Sequence, residues 1–167
     1  MAHILFNKIV QQARQPVFYQ DWQVPDTLDG RFDLIILHVS LVVDRLESQS
    51  QNRQVARLIR FLQEVLFDNM DMSLRELGVG DMSVGKKVKV MAEAYYGRKK
   101  AYQETIRSED MAAGFKAALT RNIYRDQQPD EKICDLFVAY IMDQIVHLEH
   151  LADENLISGQ LTFSEVK

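Results

Sequence analysis

Between residues 31 and 48 ten of the eighteen positions are apolar, and their side chains fall on both sides of a 3.6-residue period. Phe32, Ile35, Ile36, Val39, Val42 and Val43 share one side, and Leu34, Leu37 and Leu41 the other. A helix greasy all round belongs at the centre of a bundle. The neighbouring stretches carry single stripes instead. Leu5, Phe6, Ile9, Val10 and Ala13 predict a helix over 2–14, and Val55, Leu58, Ile59, Leu62, Val65 and Leu66 predict one over 53–68, with Arg53, Arg57 and Arg60 opposite. Ser73 followed by Glu76 has the form of a capping box, so a bend or restart is expected near 71–73. Further helices are predicted over 83–107 (stripe Val84, Val88, Met91, Ala92, Tyr95), 109–122 and 130–154.

Period-two alternation is missing, and Pro16, Pro25 and Pro129 all stand in predicted loops. The polar stretch Ser48–Asn52 breaks the second and third helices, and 156–167 is turn-rich and expected to be extended. The expected fold is all-α, a single-domain bundle of six or seven helices. It divides into an N-terminal helix and loop (1–29), a helical core (30–155) and a C-terminal tail (156–167).

Composition narrows the classes. With 167 residues, 47% hydrophobic and 26% charged, the chain is an ordinary globular domain. One cysteine, Cys134, excludes an internal disulfide and a multi-cysteine metal site. The longest apolar run, 34–43, is about half of the ~20 residues that a membrane span needs, so a soluble protein is expected. The formal charge of −4 is uneven: residues 1–125 hold 18 basic and 15 acidic side chains, and 126–167 hold 2 and 9. Such asymmetry can orient a protein on a charged partner.

Most candidate chemistry dissolves on inspection. Gly80 to Lys87 nearly spells a phosphate-binding loop, but position 87 is Lys where Ser or Thr must hold Mg²⁺, and the preceding element reads as helix. His147 and His150 lie one turn apart with Asp143 and Glu154, yet no second segment offers further ligands, so neither metal nor cofactor is expected. His38, in the apolar helix, reads as a hydrogen-bonded core residue, and Cys134 as a buried thiol. No nucleophile, base and acid constellation emerges, so a non-enzyme is expected. The first twenty residues contain no acid, which permits an interfacial membrane helix, although packing onto the bundle is the simpler fate.

The segment 66–98 is different. It joins an acidic cluster, the turn Gly78-Val79-Gly80-Asp81 and a basic helix ending in Tyr95-Tyr96-Gly97-Arg98. The two glycines are free to take positive φ, and Asp81 is free to cap the second helix. Residues 86–100 hold Lys86, Lys87, Lys89, Arg98, Lys99 and Lys100 against one acid, Glu93. A helix of this kind, 83–100, meets RNA or the ribosome, anionic lipid or an acidic protein surface.

The ordered run of Leu74-Arg75-Glu76, Gly78-Val79-Gly80-Asp81, Gly85-Lys86-Lys87, Lys89, Met91 and Tyr95-Tyr96-Gly97-Arg98 resembles the ubiquinol–cytochrome c chaperone family. The likeness is dense over 66–98 and diffuse over about 30–155. Membership implies a helical, non-enzymatic assembly factor of the cytochrome bc1 complex that binds newly made cytochrome b. On that resemblance Arg75, Glu76, Asp81, Lys86, Lys87, Lys89, Tyr95, Tyr96 and Arg98 are the expected partner-binding residues. Gly78, Gly80, Gly85 and Gly97 are the expected turn-formers. A second assembly factor and a ribosome contact accompany mitochondrial members, and peripheral membrane contact fits the role. Because the chain begins almost at the domain, a bacterial protein at the cytoplasmic face of the inner membrane is expected.

Overall fold

The computed structural model describes residues 1–48 and 52–167, and among these no strand occurs. Six longer helices form the bundle: α1 (Ala2–Ala13), α3 (Leu28–Ser48), α4 (Arg53–Glu76), α5 (Asp81–Ile106), α6 (Met111–Leu119) and α7 (Glu131–Glu149). Two five-residue helices, α2 (Pro16–Gln20) and α8 (Asp153–Ile157), and a π-helical turn over Thr120–Tyr124 complete it. The all-α expectation therefore holds. The polar break expected at 48–52 falls largely on 49–51, outside the described residues.

α3 is the axis. Its positions from Phe32 to Leu46 are all buried, and α1, α4, α5 and α7 pack around it. Its start is set by Thr27, whose hydroxyl accepts the Gly30 N–H at 3.1 Å. α1 buries Leu5, Phe6, Ile9 and Ala13 against α3 and α4. Its apolar stripe is thus spent inside the molecule, not on a membrane. Beside α3, the rings of Phe18, Trp22, Phe137 and Tyr140 stack edge-on and tilted at 5.2–6.2 Å between centroids. His38 sits in this box as a core residue: its Nδ1 donates to the Leu34 carbonyl and its Nε2 accepts from the Tyr140 hydroxyl, both at 2.7 Å.

Several boundaries differ from those the sequence predicts. α4 runs unbroken to Glu76, with no restart at Ser73, because Met70 and Leu74 continue its buried stripe. Pro16 opens a helix where a loop is expected, its fixed φ suiting the first helical position. α6 passes into the π-helical turn and stops at Arg125, whose φ is +50°. α7 ends at Glu149, five residues early. There Arg45 of α3 takes the Leu148 and Leu151 carbonyls at 2.9 and 2.6 Å and pairs with Asp153 at 2.8 Å, so a foreign donor replaces the next helical turn.

The α4–α5 turn also sharpens. Gly78 has φ +83°, and its N–H returns to the Arg75 carbonyl at 2.9 Å. Gly80, expected to share that freedom, has φ −69° and ψ 153° and simply precedes α5, while Asp81 makes no capping bond to the helix. Gly85 and Gly97 lie inside α5, not in turns. The two turn glycines therefore differ in what they tolerate. Gly78→Val lowers stability by roughly 1–2 kcal/mol and Gly80→Val leaves it nearly unchanged, as a denaturant titration of the two variants will show. Equal midpoints would contradict the turn geometry.

Candidate partner-binding site

The segment singled out in the sequence forms a helical hairpin, the end of α4 joined to α5 through an exposed turn. From 71 to 94 only Leu74 and Val84 are buried, while Val88 and Met91 are partly buried against the core. Arg75 clamps this tip, bonding Asp71 at 2.6 Å and also pairing with Asp81 across the turn. Both pairs are exposed and hold the hairpin's shape more than its stability.

Further along, α5 reaches α3. Tyr95 is fully buried: its hydroxyl accepts from Gln63 at 3.1 Å, and its ring meets Phe67 and Tyr96 at 5.8 and 5.0 Å. Burial pushes its phenol well above the ordinary range. Arg98 is turned inward and pairs with Asp33, which is 4% exposed; Arg125 reaches the other Asp33 oxygen at 2.8 Å and Asp29 at 3.5 Å. Burial pushes the Asp33 carboxyl up, while the two guanidiniums pull it down. Lys99 bonds Glu47 at 2.6 Å, and Arg107 bonds Asp44 at 2.9 Å. The row of basic residues on α5 is thus split: Arg98 and Lys99 sew α5 to α3, while Lys100 stays exposed.

Between these helices lies a shallow groove of about 210 Å³. Phe32 and Ile36 of α3 and Val90, Met91 and Ala94 of α5 line it, flanked by Asp29, Asp33, Arg98 and Arg125. Cofactor sites usually enclose about 300–1,000 Å³, so this volume suits an apolar side chain of a docked polypeptide better than a cofactor.

Of the nine expected partner contacts, the structure buries Tyr95 and engages Arg98 and Arg75 internally. Lys86, Lys87 and Lys89 are exposed with no ion pair among the described residues, and Tyr96 is 49% exposed. Glu76 and Asp81 are exposed at the tip. The groove itself escaped the sequence reading. The available signal was Asp33 inside an otherwise apolar run, a charge that must find partners when buried. No group of three His, Cys, Asp or Glu side chains able to hold a metal occurs among the described residues, and His147 and His150 bond Thr162 and the Val146 carbonyl instead. Nor is any described helix long and apolar enough to cross a membrane.

The family model described as ubiquinol-cytochrome C chaperone matches residues 20–163. Among curated relatives, the mouse and human proteins called ubiquinol-cytochrome c reductase complex assembly factor 1 are both 24% identical, over 153 and 160 residues. These alignments take in 92% and 95% of the chain, which spans about half the length of either relative, 50% and 52%. The crystal structure of the Cbp3 homolog from Brucella abortus superposes with a TM-score of 0.87 at 35% identity, covering 99% of this chain and 89% of that one. The two mammalian relatives are described as assembly factors.

Proposed function

Since this chain belongs to the ubiquinol-cytochrome C chaperone family, we propose that it is a non-enzymatic assembly factor of the cytochrome bc1 complex that holds newly made cytochrome b. The observation that carries this reading is the apolar groove between α3 and α5. Its floor is Phe32, Ile36, Val90, Met91 and Ala94, and Val90 stands 64% exposed at its edge. A membrane subunit waiting for its partners displays apolar helices that aggregate in water, and a groove with a polar rim shields them by removing apolar area from solvent. Ion pairs at the groove's flank keep α3 and α5 at a fixed separation. Capture then needs little reorganisation.

The protein works at the cytoplasmic face of the inner membrane, where such a subunit emerges. No residue of this chain is assigned to a second assembly factor or to a ribosome contact. The RNA- or ribosome-binding alternative would use the same basic helix, but Arg98 and Lys99 are committed to α3, which leaves it Lys86, Lys87, Lys89 and Lys100.

Deleting the gene should lower bc1 activity and cytochrome b abundance together, and the intact gene should restore both. Val90→Glu, at an exposed position, should keep the helical CD spectrum and reduce cytochrome b co-purification at least about tenfold, the order expected for a charge in an apolar contact. Normal bc1 activity in the deletion strain would overturn the reading.

A further inference from the structure

We infer that the outward face of α7 is a second contact for the bound client, taking the cationic cytoplasmic end of one of its membrane helices. This rests on the proposed function and names a part of the client that the α3–α5 groove leaves unread. At 100° per residue, Leu136, Ala139, Met142, Asp143 and Val146 fall within about 120° of one another, along about 15 Å of α7. The buried positions Phe137, Ile141, Ile145 and Leu148 lie on the opposite side. Leu136 is 51% exposed, Met142 37% and Val146 53%, so the apolar stripe stands open to water.

Its surroundings are acidic. Glu131, Asp135, Asp143 and Glu149 are all exposed, and Lys132 is the one lysine or arginine on α7. Lys116 of α6 holds the first two acids at 2.9 and 3.2 Å. Asp143 and Glu149 are unpaired among the described residues.

Fixed negative charge beside an apolar stripe selects among partners. Nucleic acid and anionic headgroups are repelled by it. A second copy laid face to face would set Asp143 and Glu149 against the same acids, with one lysine per copy to offset them. The end of a membrane helix fits both parts. Its last turns are apolar, and on the cytoplasmic side an excess of Lys and Arg follows them. The apolar turns cover Leu136, Ala139 and Val146, while the cations reach Asp143 and Glu149. Ala139, small and central, lets the client's backbone approach closely. The face is also within reach of the groove. Arg125 at the groove's flank stands only a short loop before α7, which brings the start of the acidic face near the groove's end.

The test isolates the tagged full chain from its host in mild detergent and measures the cytochrome b that accompanies it. Asp143→Lys combined with Glu149→Lys should cut that amount about tenfold and leave the CD spectrum unchanged. Capture by the native chain should weaken as salt rises to about 0.5 M, and capture by the variant should barely respond. A carbodiimide joins a carboxylate to a neighbouring lysine amine. It should link Asp143 or Glu149 to a lysine that borders a membrane segment on the cytoplasmic side of cytochrome b. Unchanged capture by the double variant, with an unchanged salt response, would overturn the inference. So would cross-links from these two acids only to a second copy or to some other protein. Capture lost in Val90→Glu but kept in the double variant would remove this face and leave the groove standing. A native chain that brings down no cytochrome b would sink the functional reading, and this inference with it.

Discussion

Replacing Asp33 with alanine should lower the melting temperature by about 10 °C. The carboxylate is 4% exposed, and its two oxygens receive Arg98 from α5 and Arg125 from the segment after the π-helical turn. One side chain therefore ties three parts of the chain together. Removing it leaves two guanidiniums facing a low-dielectric site without a counterion, a loss of about 3–5 kcal/mol when a buried pair is broken from one side. In a domain of this size each kcal/mol shifts the midpoint by roughly 2–4 °C. Arg125 adds a second reason, since its φ of +50° is an uncommon conformation that the surrounding contacts must hold. A control makes the comparison clean: Asp26 pairs with Arg31 at 2.8 Å, but both side chains are more than half exposed, and Asp26→Ala should move the midpoint by only a degree or two, within the ~1 kcal/mol of a surface pair. If Asp33→Ala melted like the control, the ion triad would not be what fastens α5 to α3.

Acidification should weaken the fold through His38. The imidazole is fully buried, and burial pushes its pKa down to about 4, with the Leu34 carbonyl opposing. That carbonyl can only accept, so Nδ1 carries the proton and Nε2 is the acceptor for Tyr140, whose hydroxyl in turn accepts from Gln12 at 2.9 Å. The folded protein thus keeps this ring neutral down to about pH 4, while the unfolded chain protonates it below about 6.5. The unfolded state binds the extra proton, so stability falls as the pH drops through that window. The expected loss from this residue is about 2 kcal/mol between pH 8 and 5. Urea midpoints at the two pH values, in the native chain and in His38→Gln, measure it as the difference between their pH dependences. Parallel curves would show that His38 is not the group responsible.

The elements most readable in the sequence were those whose burial is local and periodic. Val55 to Leu66 and Leu5 to Ala13 display the stripes that become the buried faces of α4 and α1, and nothing elsewhere in the chain contests them. The ends of helices were less readable. Ser73 and Glu76 satisfy a capping pattern, yet Met70 and Leu74 find a buried surface that keeps α4 going, and tertiary burial outweighs a capping box worth about 1 kcal/mol. The early end of α7 depends on Arg45, about a hundred residues away, so no local signal could have marked it. The same distance effect divided the basic run. Lys86 and Arg98 are alike in charge, but only Arg98 stands opposite a buried carboxylate.

The amino-acid pattern by itself determined that this is a helical bundle wrapped around one apolar helix, that a glycine turn joins two long helices, and that the second begins basic. Those features come from periodicity and backbone freedom, which act over a few residues. Tertiary structure alone decided which cations remain free, that Tyr95 is core and Tyr96 surface, and that Asp33 organises a groove rather than disturbing a helix. These outcomes turn on which side chains meet across the bundle, and a buried charge is given its role by the partner it finds.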